Sequence, residues 1–481
     1  MIQPIALEII VVCLGIFLLM MEAFSTKASK TPLAYAAILG LSVVFVLTFF
    51  IQPAAAGLQD SGFYVLDPLG LFFKRFALVA TVVTLVLALD YLPIIQRLVP
   101  GERPGAGSGE FFILPVFTCA GLMWMASAAD FIVIFCALEL VTISLYIQVA
   151  YMRRSIASLE AGTKFLILGA LSTGFFVYGI TWIFGTVGQT GLEAIRQVLP
   201  GLPEASHPAL IFGVALVLVA IGFKIAAAPF QFWVPDVYQG APTPITAYLA
   251  VASKAAGFVV LIRVLEPFFT VIAFQEKLFL VLMLLAGMTL VFGNLAAIPQ
   301  TNFKRLMGYS SIAHAGYLLM GLSAIGDSFA GRAVVFYLCG YLLMTFLSFL
   351  ILVPVTKASG GDDIANFNGL ARRSPGLALA MLIAAASLAG LPFTVGFFGK
   401  FFIFQVAMKQ ELFGLVILGI LTVACGFYYY FKVIRAMYWQ PATEDASPVS
   451  VSGLSKLAIV VCSALILILG FYPQLLIKIL P

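Results

Sequence analysis

Lys224 stands in the stretch F-K-I-A-A-A-P-F (223–230), an ammonium group in an apolar run five residues ahead of a proline. Proline lacks the backbone N–H and crowds the preceding turn, so a charge and a helix break are expected side by side. Glu139, in F-C-A-L-E-L-V-T-I-S, is the matching oddity: a carboxylate with no basic residue within a helical turn of it. In hydrocarbon an isolated carboxylate and an isolated ammonium are each costly and each relieves the other, so Glu139 and Lys224 are expected to pair across helices. An opposite charge favours the charged form of its neighbour, and a pair that opens and closes is therefore a switchable proton carrier. The alternative is a static salt bridge that locates two helices.

Three further lysines, Lys164, Lys254 and Lys400, also fall inside apolar runs, and with Lys224 they are the lysines that no loop claims. A cation at membrane depth costs about 2.5 to 3.5 kcal/mol on insertion scales, so function is the default reading. For Lys164, close to the end of its run, snorkelling to the interface is the alternative. Lys254, in A-Y-L-A-V-A-S-K-A-A-G-F, is surrounded by small residues that leave space for water. His314, in Y-S-S-I-A-H-A-G-Y, has Ser310, Ser311 and Tyr317 available as hydrogen-bond partners. A lone histidine is more often structural, but this one lies between Lys254 and Lys400 along the chain and titrates nearest physiological pH, which suits a proton relay.

These groups need elements that hold them at depth. Of the 481 residues 62% are apolar and 10% charged, far outside the range of a soluble domain. About fourteen runs are long enough to cross a bilayer: 5–24, 32–51, 69–91, 111–127, 131–151, 161–187, 207–234, 243–264, 278–298, 303–324, 331–355, 377–407, 412–438 and 453–472. Uninterrupted runs in lipid must satisfy their own backbone hydrogen bonds, so an all-α polytopic membrane protein is expected. The first run lacks a basic leader and reads as a retained span. The cysteines are scattered singly through the runs, which argues against disulfides, zinc or an iron–sulfur cluster.

Lys and Arg favour the connections after odd-numbered runs, among them Lys27, Lys30, Arg103, Arg153, Arg154, Lys304 and Arg305. The opposite side is assigned Lys74, Arg75, Arg196, Arg263, Lys277, Arg332, Lys409 and Lys478. This bias puts both termini outside and the odd-numbered connections in the cytoplasm. The net charge of +5 reflects the same bias and gives no case for a nucleic-acid partner.

The run holding Lys224 carries Ala228-Pro229-Phe230, and the run holding Lys400 carries Leu391-Pro392-Phe393. The two breaks are offset by five spans, an odd number, so a five-span repeat would present its second copy upside down. Inverted repeats with discontinuous helices are a recurring transporter plan in which the breaks mark the transport path; two ordinary proline kinks are the alternative. Carbonyls freed at Pro229 are expected to admit water beside Lys224. With His207 and His314 the only histidines, and no phosphate loop, metal-ligand cluster or nucleophile triad, the chain is expected to carry charge without doing redox chemistry.

At F-K-I-A-A-A-P-F-Q-F-W-V-P-D-V-Y-Q-G-A-P-T-P (223–244), then L-A-V-A-S-K (249–254), T-N-F-K-R-L-M-G-Y-S-S-I-A-H-A-G-Y (301–317) and L-A-G-L-P-F-T-V-G-F-F-G-K-F (388–401), the chain resembles the antiporter-like proton-channel subunits of respiratory complex I, the NADH-quinone oxidoreductase. Of the three sister types it is most similar to subunit N, through the Asp236-Val-Tyr-Gln-Gly-Ala-Pro loop, the lysine at 400 and a C-terminus close after the last span. The resemblance implies proton-transfer roles for Glu139, Lys164, Lys224, Lys254, His314 and Lys400, with Lys164 next to the Glu139–Lys224 pair. It implies four segments: three N-terminal helices (1–110), a first inverted five-helix repeat (111–275), a second (276–440) and a C-terminal helix (441–481). No cofactor is implied in this chain; NADH, FMN, iron–sulfur clusters and quinone are expected in partner subunits, in a bacterial inner membrane. The expected path runs from Lys224 through Lys254 and His314 to Lys400 and the outside. A subunit of a multisubunit Na+/H+ antiporter of the Mrp type and a non-conducting membrane scaffold are the alternatives.

Overall fold

The computed structural model describes residues 5–25, 29–52, 62–100, 107–324, 327–442 and 449–481. Lys27 and Arg103, two of the charges used to orient the chain, lie outside them. The described residues form helices and no strand, apart from three isolated bridges between connections.

In chain order the helices are α1 (Ala6–Phe24), α2 (Thr31–Leu47), α3 (Pro68–Leu98), α4 (Ser108–Ser127), α5 (Phe131–Val149), α6 (Ile156–Val187) and the short α7 (Leu192–Val198). There follow α8 (His207–Ile225), α9 (Trp233–Gly240), α10 (Thr243–Tyr248), α11 (Lys254–Leu265), α12 (Ile272–Ala297), α13 (Phe303–Leu322) and α14 (Ala330–Ser359). The last are α15 (Leu370–Arg373), α16 (Pro375–Ala389), α17 (Val395–Lys409), α18 (Phe413–Trp439), α19 (Gly453–Phe471) and α20 (Gln474–Ile477).

Local chemistry sets the starts. Asp67, Asp130 and Asn302 each turn a side-chain oxygen onto a backbone N–H of the first turn of α3, α5 and α13, satisfying donors the helix cannot. Proline opens α3, α8, α10 and α16, where its missing N–H costs nothing.

Twelve spans among the described residues are long and apolar enough to cross a membrane. Two of the expected runs do not meet that measure. Run 303–324 forms α13, whose composition is diluted by Lys304, Arg305, Ser310, Ser311 and His314. Run 377–407 is cut into α16 and α17 at Gly390-Leu391-Pro392-Phe393-Thr394, where Gly390 takes φ +93° and Phe393 +68°.

Burial is uneven, as a bilayer solvent demands. The α10–α11 segment and α14 are almost wholly enclosed, whereas α6, α12, α18 and α19 turn apolar faces outward. Close approach at glycine joins α12 to α13: a β-carbon on Gly293 of α12 would lie 2.4 Å from the Ala313 nitrogen of α13. Lipid offers no hydrophobic drive between helices, so this backbone-to-backbone packing is what holds α12 on α13.

Lys74 and Arg75, counted with a connection although they fall within run 69–91, are not in one: both lie in α3, which begins at Pro68 after the Asp67 cap. Lys74 is fully buried against Glu8 of α1 at 2.7 Å, with the Tyr64 hydroxyl bonded to both. Arg263 is likewise buried in α11, paired with Asp67 at 2.6 Å. Lys304 sits inside α13, paired with Asp362 at 2.9 Å.

Candidate functional site

The first broken helix is α8–α9. Helix α8 ends at Ile225, Ala226 takes the left-handed conformation (φ +64°), and the Ala228 N–H bonds Thr289 Oγ1 of α12 at 2.9 Å. Of the carbonyls in the last turn of α8, that of Phe223 is taken by the Trp233 indole at 3.0 Å. The break thus folds back on itself rather than lying open on that side.

Lys224 is buried in the last turn of α8, its stem against Gly257 of α11, where a β-carbon would lie 3.4 Å from Lys224 Cγ. Its ammonium donates to Thr142 Oγ1 at 3.2 Å. Glu139, one turn earlier on α5, accepts from Thr173 Oγ1 of α6 at 2.8 Å. The expected direct ion pair is therefore not formed between these two described residues. Two threonines stand between them, and Thr142 and Thr173 both line a cavity of about 10 Å³ that also touches Lys224, the size that admits a single water. On its other side Glu139 faces an open groove of about 520 Å³ between α5 and α6.

Lys164 is elsewhere. It lies on α6 with its side chain 42% exposed and pairs with Glu160 and Asp236, each at 2.7 Å. Asp236 also binds Arg305 of α13 at 2.7 Å, so Lys164 belongs to a half-exposed network joining α6, α9 and α13. A lysine read as neighbour to the Glu139–Lys224 pair is drawn to the nearer carboxylates instead.

Lys254 opens α11 directly after a π-helical turn, Leu249–Ser253. Such a turn inserts an extra residue and re-aims the side chains beyond it. The Lys254 ammonium donates to both the carbonyl and the hydroxyl of Ser311 on α13. One turn further along α13, His314 is 1% exposed; its Nδ1 bonds Tyr337 of α14 at 2.6 Å and its Nε2 bonds Tyr430 of α18 at 3.2 Å. Tyr430 also bonds Ser310. Another turn on, Tyr317 presents its ring to the Lys400 ammonium at 5.0 Å.

Lys400 shows how the second break differs from the first. It lies in α17, beyond the break, and reaches back to the carbonyls of Leu388 (3.0 Å) and Ala389 (2.8 Å) at the end of α16. A cation on the exposed carbonyls of a helix C-terminus is favoured by their partial negative charge. Lys224 precedes its break; Lys400 follows its own.

Lys254, Ser311, His314, Tyr317 and Lys400 are thus buried polar groups ranged along a single face of α13, and the aliphatic stem of Lys224 packs at Gly257, three residues beyond Lys254. Sequence reading missed Tyr337 and Tyr430, which hold the histidine from two other helices; the Tyr428-Tyr429-Tyr430 run was the available signal. It also missed Thr142 and Thr173. Among the described residues no group of three or more His, Cys, Asp or Glu is placed to hold a metal ion.

A many-spanning helical protein with two discontinuous helices and buried lysines beside them has an antiporter-like membrane fold. The chain belongs to the family described as "NADH:quinone oxidoreductase/Mrp antiporter, TM", whose model matches residues 128–426. It is similar to NADH-quinone oxidoreductase subunit N of Moorella thermoacetica (38% identical, covering 97% of this chain and 94% of the relative) and of Rhodospirillum rubrum (35%, 96% and 93%). Among solved structures it superposes on a chain of respiratory complex I from Thermus thermophilus with TM-score 0.81, 32% identity and 98% of each chain covered. A chain of the Mrp complex from Dietzia shares the fold alone, with TM-score 0.82 at 18% identity over 99% of this chain and 96% of that one. The subunit N resemblance read at 223–244 is borne out by these relatives.

Proposed function

We propose that this chain is the proton-translocating, antiporter-like membrane subunit of an NADH-quinone oxidoreductase, moving protons outward as partner subunits reduce quinone. The observation that carries the reading is the buried line from Lys254 through Ser311, His314 and Tyr317 to Lys400, a file of proton-holding groups in a membrane interior. NADH, FMN, iron–sulfur clusters and quinone belong to the partners on this reading, and the membrane is the bacterial inner membrane with both termini outside.

Helix α13 and the broken α16–α17 pair then supply two further crossings, for about fourteen spans. The chain divides into three N-terminal helices (1–110), inverted repeats over 111–275 and 276–440, each with its broken helix, and a C-terminal helix (441–481).

In the described geometry Glu139 accepts from Thr173 and Lys224 donates to Thr142, with no direct bond between the two charges. Quinone reduction changes the charge around Glu139; its carboxylate swings onto Lys224 or away from it, and Lys224 accordingly keeps or releases its proton toward Lys254. His314 passes the proton to Lys400, whose exit completes the cycle. Lys164 acts from the side, through Asp236. Each charge moved against 100 mV requires about 2.3 kcal/mol, which the redox step supplies.

The test is Lys224→Ala in the assembled complex, with proton uptake and quinone reduction measured together in vesicles. Uncoupled or lost pumping supports the reading. Normal pumping stoichiometry with normal quinone reduction overturns it, and unchanged pumping in Lys254→Ala and Lys400→Ala as well would make the chain a scaffold.

A further inference from the structure

Between α8 and α12 lies a slot of about 210 Å³ that the proton path does not use. Its lining is apolar, with Leu218, Phe230, Phe268, Phe274 and Leu285 among the walls, and the one polar side chain it touches is Lys277. Lys277 is exposed and takes no ion pair or hydrogen bond among the described residues. The outward residues of α12 beside the slot, Leu280 and Leu284, are 54% and 56% exposed, so this face meets hydrocarbon rather than water.

Length and charge select the occupant. From Phe274 to Leu285 the slot follows α12 for about 16 Å at 1.5 Å per residue, roughly half of a 30 Å hydrocarbon core, which is one leaflet. A groove of that depth, closed to polar groups below and carrying a single unpaired cation near its mouth, fits a straight apolar tail under an anionic head. We propose that the α8–α12 slot is a binding site for one acyl chain of an anionic glycerophospholipid, its phosphate held by Lys277. The lower end of the slot is Phe230, the residue after Pro229 in the first break, whose ring packs where a β-carbon on Gly222 would lie 2.8 Å away. A chain seated there props the wall behind Lys224 and Thr289, so the lipid supports the broken helix from the bilayer side. The site does not depend on the proton-transfer reading: it is a lipid site whether or not the line conducts.

The experiment uses the assembled complex in nanodiscs containing phosphatidylglycerol or phosphatidylcholine with identical diazirine-bearing tails, followed by mass spectrometry of the labelled peptides. Labelling is expected on α8 and α12, with phosphatidylglycerol favoured about fivefold, the discrimination one lysine near a membrane surface provides. Lys277→Glu is expected to remove that preference while leaving weak labelling by both lipids. Ala215→Phe, which fills the slot from α8, is expected to abolish labelling at these peptides. Equal labelling by the two lipids, or a preference that survives Lys277→Glu, would reduce the slot to ordinary bilayer contact and overturn the proposal. Absence of label in the wild-type complex would overturn it as well, by showing that a partner's segment fills the slot.

Discussion

Lys254 donates two hydrogen bonds to a single residue, Ser311, three positions before His314 on the same helix. Ser311 Oγ is in turn 3.2 Å from the Tyr238 hydroxyl, so it both receives the lysine and is braced from α9. Replacing Ser311 by Ala keeps the carbonyl acceptor and removes the hydroxyl one. A hydrogen bond to a charged group contributes about 1.5 to 3 kcal/mol, so a roughly tenfold or greater fall in pumping rate is expected. The complex should still assemble, because Ala fits the space, and proton uptake per assembled complex is the measurement.

Lys164 should behave unlike Lys224. Its partners Glu160 and Asp236 are on the half-exposed network, and Asp236 retains Arg305 when Lys164 is removed. Lys164→Ala is expected to keep more than about half of the pumping rate, as exposed pairs contribute little. Asp236→Asn strips both cations of their shared partner and is expected to cost more. Pumping in vesicles for the two variants, each normalised to assembled complex, distinguishes them; a larger loss in Lys164→Ala would place Lys164 on the conducting path.

What could be read from the chain follows from what a bilayer makes conspicuous. A lysine or glutamate in a run of leucines is rare, so Glu139, Lys224, Lys254 and Lys400 were visible at once, and Pro229 and Pro392 marked the breaks. Tyr337 was not visible, because tyrosine is ordinary in such runs, and the Tyr428-Tyr429-Tyr430 run was a signal that could not say which hydroxyl meets His314, since helix rotation decides that. The Thr142 and Thr173 spacing between Glu139 and Lys224 was hidden for the same reason: sequence reports that two charges are buried, not whether they touch. Lys74 beside Arg75 was counted as a loop pair although both fall within run 69–91, and what the sequence could not show is the Glu8 carboxylate of α1 that lets Lys74 be fully buried in α3.

The α12–α13 contact gives a stability prediction. Gly293→Ala would set its β-carbon 2.4 Å from a backbone nitrogen, which has no flexible side chain to give way. Overpacking of this kind costs about 1 to 3 kcal/mol. Because α13 carries Ser311 and His314, the variant is expected both to unfold at lower temperature and to lose pumping, read by thermal melting of the purified complex and by proton uptake. An unchanged melting temperature would mean that α12 and α13 are not held at this distance.

Acid sensitivity is expected at the connection after α14. Burial works against the charged form of Asp362, but the Lys304 ammonium at 2.9 Å and the Thr356 hydroxyl at 2.6 Å outweigh it and hold the carboxyl below its ordinary value. A depressed carboxylate contributes stability that is complete above its unfolded value of about 3.9 and is lost as pH falls through the folded one. Melting temperature should therefore fall on acidification below about pH 4, and Asp362→Asn should flatten that dependence. At neutral pH the variant leaves Lys304 buried without its carboxylate, a change that costs about 3 to 5 kcal/mol.

Glu8 and Lys74 pose the sharpest energetic question, because they lie outside the matched family segment and are 1% and 0% exposed. Removing one member of a fully buried pair strands the other, at a cost of about 3 to 5 kcal/mol, whereas replacing both by apolar groups of similar volume is often neutral or stabilising. Lys74→Met alone is thus expected to impair insertion or assembly, and Glu8→Leu with Lys74→Met to restore it. The double variant also removes both recorded partners of the Tyr64 hydroxyl. If the double variant assembles and pumps normally, the pair serves only to dock α1 on α3. If it assembles but pumps poorly, these two groups carry protons too, and the conducting system extends into the N-terminal helices. Assembly yield and pumping per assembled complex, measured on the two single variants and the double, separate the outcomes because a purely structural pair moves the first quantity and leaves the second alone.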